Sequence, residues 1–87
     1  NNQKDDIEGL IAAIGQLGFS QPMLGELRVA VERDVIEGRV PDVAEGRTGS
    51  WFAKALKDAG KGLVKGGIDI VSTVIVKALK AYTTGAP

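Results

Sequence analysis

Cysteine and histidine are both absent from this chain. Disulfides are therefore excluded, as are thiolate and imidazole metal ligands and the usual nucleophile–base pairs of covalent catalysis. Long apolar runs are missing too. The longest candidate window is interrupted by Lys65, Asp69 and Lys77, and a conventional transmembrane helix needs about twenty apolar residues in succession. Aromatic residues number four, one Trp, one Tyr and two Phe. Formal net charge is zero, so the chain as a whole has no pull toward a partner of one sign.

What is present suits a small folded domain. The apolar fraction is 44% over 87 residues, enough to argue against wholesale disorder and close to the size at which one core is only just sufficient. The chain starts Asn-Asn-Gln without a Met, which we read as a piece of a larger protein with any targeting segment lying elsewhere. Charge is unevenly placed. Residues 1–46 carry four basic and nine acidic groups, a net of −5, and residues 47–87 carry seven basic and two acidic, a net of +5. Such asymmetry fits an acidic half packed beside a basic half, or a basic half facing an anionic partner.

Residues 1–4 are polar and expected to be loose. Asp5 or Asp6 is placed to cap a first helix, because acidic side chains suit its positive end. Ile7, Leu10, Ile11, Ile14 and Leu17 then repeat at helical spacing, which predicts a helix over 6–17 closed by Gly18 in the left-handed conformation. Ser20 is an N-cap with Pro22 in the first turn, and Phe19 precedes it as a staple for Leu24. Leu24, Leu27, Val31 and Val35 form one face of this second helix, and Arg28, Glu32 and Arg33 the other. Arg28 and Glu32 stand four apart, the spacing of a surface ion pair. Gly38 ends the element, giving an αα-hairpin over 1–38. Residues 39–49, with Pro41, Gly46 and Gly49, read as a connector.

The stretch from Ser50 to Tyr82 organises the rest. It holds the Trp, the Tyr and six of the seven lysines. At about 100° per residue, Phe52, Leu56, Ala59, Leu63, Ile70 and Val74 fall in one stripe, with Lys54, Lys57, Lys61 and Lys65 opposite. Past Gly66-Gly67 the pattern rotates. Ile68, Ile75 and Leu79 land on the former lysine side. Glycine costs roughly 1 kcal/mol relative to Ala inside a helix, so the pair marks a hinge, a kink or a break. β-branched residues crowd 68–76, but no second strand exists to pair with them, which favours helix. Thr48 or Ser50 is expected to cap the element, and 83–87 to fray.

No catalytic motif emerges. The run GKGLVKGG lacks the Gly-Lys-Ser/Thr offset of a phosphate loop and follows no strand. The paired Asp5-Asp6 are capping groups, and no buried acid is indicated. No enzyme activity, cofactor or metal is expected. Nucleic acid is not an expected partner, because 50–82 contains no arginine and its aromatics lie on or beside the apolar side. Gly62-x-x-x-Gly66 permits close approach of another helix or simply weakens its own.

From Gly49-Ser50-Trp51-Phe52 to Tyr82 and Gly85, the chain resembles the helical tail of AbiTii-like bacterial abortive-infection proteins. The matching pieces are GSWFAKALKDAG, GGIDIVSTVIVKAL and the terminal AY. Residues 1–46 do not match. The resemblance implies a non-catalytic accessory domain of an antiphage system and carries over no site residues.

The expected fold is all-α, a small bundle in which a hairpin packs on a long amphipathic C-terminal helix kinked or broken near Gly66-Gly67. Phe52, Leu56, Leu63, Ile70 and Val74 are expected to face Leu10, Ile14, Leu27 and Val31. The expected function is a cytoplasmic protein–protein interaction or self-assembly module, joining copies of itself or another helical protein. Its surface would comprise Trp51, Phe52, Leu56, Leu63, Ile68, Ile75 and Leu79, with Lys54, Lys57, Lys61 and Lys65 available to an anionic partner. The alternative is a membrane-active helix that binds or permeabilises anionic bilayers.

Overall fold

A computed structural model describes residues 6–85. Four helices follow one another: α1 (Ile7–Gly15), α2 (Gln21–Ile36), α3 (Gly46–Gly60) and α4 (Ile68–Thr84). The all-α reading and the small bundle hold. The helices form a closed ring of neighbours, α1 against α2, α2 against α3, α3 against α4 and α4 against α1. Two hairpins thus share one core, joined by the connector at 37–45.

Local chemistry sets most boundaries. The Asp6 carboxylate accepts from Gly9 N at 3.0 Å and starts α1, while Asp5 lies outside the described residues. The Ser20 hydroxyl accepts from Met23 N at 3.3 Å and starts α2, with Pro22 in its first turn. Gly18 and Gly38 both take positive φ, 91° and 82°. Gly18 is left-handed as expected, but α1 stops at Gly15 rather than at 17, and Gly38 follows the end of α2. Asp42 and Glu45 bridge across the tight turn before α3. Thr83 and Thr84 do not fray as expected. They belong to α4, and their hydroxyls donate to Lys80 O at 3.2 and 2.7 Å.

The expected long C-terminal helix is two helices. Residues 61–67 leave the helical path entirely, and α3 begins at Gly46 rather than near Ser50. Gly66, at φ +80°, sits where a Cβ would come within 2.9 Å of Ile70 Cγ2. A left-handed glycine is what the chain needs there to turn into α4. The turn is tied across the bundle by Lys65 N, which donates to Leu17 O at 2.7 Å. The turn after α3 therefore sits beside the one after α1.

Leu10, Ile14, Leu27, Val31, Val71 and Ile75 are essentially sealed from solvent, with Leu17, Phe19, Leu24, Trp51, Leu79 and Tyr82 around them. Burying an aliphatic side chain of this size stabilises by about 1.5–3 kcal/mol. Trp51 lies 5.4 Å from Phe19 in a tilted ring pair and donates Nε1–H to Met23 O at 2.8 Å. It holds α3 to the start of α2.

The core phase of the C-terminal half differs from expectation. Trp51, Ala55 and Ala59 are buried on α3, and Val71, Ile75, Ala78, Leu79 and Tyr82 on α4. Of the five residues expected to face α1 and α2, Phe52, Leu56 and Val74 are half-buried at the core margin. Leu63 and Ile70 are 63% and 58% exposed. The buried positions are neighbours of the expected ones, Trp51 and Ala55 rather than Phe52 and Leu56 on α3, and Val71 and Ile75 rather than Ile70 and Val74 on α4, while Ala59 of the expected stripe is buried.

Candidate functional site

Two features stand out: a buried acid, and the apolar side chains left outside.

The acid is Asp34, 1% exposed and near the end of α2. Its Oδ1 accepts from Arg47 N at 3.0 Å and its Oδ2 from Thr48 N at 2.8 Å. These are free N–H groups of the first turn of α3, so a carboxylate on one helix caps the next. A negative charge is unfavourable at the end of its own helix and favourable at the start of another. Here the second interaction wins, because it includes two formed hydrogen bonds. Burial pushes the Asp34 carboxyl up. The Thr48 hydroxyl beside it, the Thr48 and Arg47 N–H groups and the Arg39 charge together outweigh that, so its pKa lies below the ordinary aspartate value.

Two expectations are corrected at this point. A buried acid exists although none was indicated, and α3 is capped by Asp34 rather than by its own Thr48 or Ser50. The Thr48 hydroxyl is itself buried, near enough to Asp34 to favour its charged form but not aligned for a full hydrogen bond with it or any other described group. Gly46 completes the clamp. It is at φ +71°, and a Cβ there would stand 2.9 and 3.0 Å from the two Asp34 carboxylate oxygens. With both its oxygens engaged by backbone, Asp34 is built as a joint rather than as an acid–base group.

The expected surface residues divide. Trp51, Ile75 and Leu79 are 3%, 0% and 4% exposed, so they belong to the core and are not offered to a partner in this fold. Phe52 and Leu56 are half-buried against it. Leu63 and Ile68 are exposed, joined by Ile70. They gather at the turn between α3 and α4, where Ile68 Cδ1 lies over Gly60 and Ala59, Gly60, Gly67, Ile68 and Ile70 line a shallow groove. The hinge residues Gly66 and Gly67 are part of that turn.

The lysines do lie outward. Lys54 pairs with Glu26 on α2. Lys57, Lys61 and Lys65 are exposed and form no ion pair with a described residue. Arg28 pairs with Glu8 on α1 at 2.7 Å, not with Glu32. Among the described residues no group of three His, Cys, Asp or Glu side chains is gathered for a metal.

A second apolar surface, on α2, was not anticipated. Val29, Ile36 and, just past the helix, Val40 are 56%, 75% and 69% exposed. Val35, expected in the core stripe, is 50% exposed. The signal was present in the sequence as valine and isoleucine seven residues apart, on the side opposite Leu24, Leu27 and Val31. Beside Val29, an open groove of about 730 Å³ runs between α2 and α3 over Pro22, Gly25 and Ala30.

Compared with family models, with curated proteins and with solved structures, the chain finds no match. No described helix is long and apolar enough to cross a membrane.

Proposed function

We propose that this chain is a non-catalytic, cytoplasmic protein–protein interaction module that assembles with copies of itself or with another helical protein. One observation carries the reading. Val29, Val35, Ile36 and Val40 on and after α2, and Leu63, Ile68 and Ile70 at the turn into α4, are left in water by a bundle whose core is already closed. Apolar surface left outside a closed core is a common basis for association. The resemblance of residues 49–85 to the AbiTii-like tail extends the proposal to an accessory role in bacterial defence.

Size in solution tests it. Sedimentation velocity over a wide concentration range should show mass rising above the monomer. A strictly monomeric species throughout, with no partner bound, overturns it.

The second reading, contact with an anionic bilayer, is favoured by exposed Leu63, Ile68 and Ile70 in the same segment as Lys61 and Lys65, which pair with no described residue. Laying Phe52 and Leu56 into lipid would require the bundle to open, since both pack on the core. Co-sedimentation with anionic vesicles at low salt, with dye leakage measured alongside, tests it. No binding ends this reading, and leakage abolished by Leu63→Asp in a still-helical variant would place it first.

A further inference from the structure

The face of α2 turned away from the core carries Gly25, Val29, Glu32, Arg33 and Ile36. At 100° per residue these five share one arc roughly 100° wide. Leu24, Leu27, Ala30, Val31 and Asp34, all buried, occupy the opposite side. Every residue of the outward arc is exposed, and a Cβ placed on Gly25 would touch nothing within 4 Å.

The charges on this arc find no match among the described residues. Arg28, Arg39, Arg47 and Lys54 each find an acidic partner inside the molecule. Glu32 and Arg33, adjacent at the middle of the arc, pair with no described residue.

Resting on the self-assembly reading, we infer that this face is a two-fold interface between two copies of the chain, α2 lying antiparallel on the partner's α2. With the axis between Glu32 and Arg33, Glu32 meets the partner's Arg33, and the reciprocal pair forms by symmetry. Val29 then meets the partner's Ile36, and the reciprocal contact again forms by symmetry.

Charge order selects the occupant. A two-fold axis makes every contact occur twice with the roles exchanged, so one acid and one base side by side at the axis satisfy each other completely. A surface of a single sign, such as an anionic bilayer, would attract Arg33 and repel Glu32. Helix pairs of this kind draw their specificity from the flanking charges and their affinity from the apolar contacts.

The test uses the full chain in sedimentation equilibrium, with circular dichroism to show that each variant stays folded. All substitutions are on exposed positions, where folding is little affected. Ile36→Glu should weaken dimerisation by about tenfold or more, as expected for a charge buried opposite an apolar side chain. Glu32→Arg and Arg33→Glu should each weaken it, and the combined E32R/R33E variant should restore it. The absence of native cysteine allows a register readout. An equimolar mixture of Val29→Cys and Ile36→Cys chains should oxidise to the mixed dimer in preference to either like dimer.

A dimer indifferent to Ile36→Glu, with no rescue by the exchanged charges, overturns this interface and leaves self-assembly standing. A chain that is monomeric at every concentration overturns both.

Discussion

Removal of the Asp34 carboxylate is the sharpest perturbation the fold offers. In Asp34→Ala, the Arg47 and Thr48 N–H groups lose acceptors at 3.0 and 2.8 Å, and the Thr48 hydroxyl remains without one. A hydrogen bond to a charged group contributes about 1.5–3 kcal/mol, and loss of a helix cap costs about 0.5–2 kcal/mol. Part of this is offset because a buried charge no longer has to be desolvated. The net loss should be about 2–4 kcal/mol, a large share of the roughly 5–10 kcal/mol expected for a domain of this size. That corresponds to a fall in Tm of about 10–20 °C. Urea unfolding followed by helical ellipticity, and independently by the emission of the buried Trp51, measures it.

The pH dependence adds a check that a cavity alone does not mimic. The folded pKa of Asp34 is depressed, so its contribution is fully present above the unfolded value of about 3.9 and is lost as pH falls through the folded value. Asp34→Asn keeps one acceptor and has no charge to titrate. The stability gap between the native chain and Asp34→Asn should therefore be level from neutral pH down to about 5 and narrow below about 4. A loss under about 0.5 kcal/mol for Asp34→Ala, within the range of ordinary surface changes, would refute the clamp. So would a gap that stays constant well below the unfolded pKa.

Gly46→Ala should cost about 2–4 kcal/mol, since an L residue at φ +71° is strained and its Cβ displaces the Asp34 carboxylate. Combined with Asp34→Ala it should cost measurably less than the two single changes together, which a double-mutant cycle in urea would show. Trp51→Phe keeps a ring against Phe19 but leaves Met23 O without its donor, and should lose about 1–3 kcal/mol by thermal unfolding. Leu63→Ser and Ile70→Ser should stay within about 0.5 kcal/mol of the native chain. Ile75→Ala should lose about 2–5 kcal/mol in the same urea titrations, and the reverse ranking would restore the original stripe.

The first half of the fold was legible because its punctuation is local. Asp6, Gly18, Ser20, Pro22 and Gly38 each act on their own neighbours in the chain, and each did what its chemistry implies. The start of α3 was not legible for the complementary reason. Its cap comes from thirteen and fourteen residues upstream, Asp34 to Arg47 and Thr48. Nothing in the local sequence distinguishes that aspartate from a solvated one. Thr48 and Ser50 looked like caps because sequence spacing can only weigh caps within reach along the chain.

The position of the exposed apolar surface depends on the core phase, and that phase could not be read from hydrophobicity. Ranking by side-chain size puts Phe52, Leu56 and Leu63 inside. In the ring of four helices Ala55, Ala59, Ala78 and Ala81 are instead buried, alongside Trp51, Val71, Ile75 and Leu79. The larger side chains are displaced to the margin or into water. The same displacement acts on α2, where buried Ala30 and Asp34 leave Val35 half outside. An apolar count thus overstates what the core contains and understates what a partner is offered. On α2 the difference is a stripe from Val29 to Ile36, centred on one acid and one base, Glu32 and Arg33, that pair with no described residue. The proposed two-fold pairing of α2 would use both.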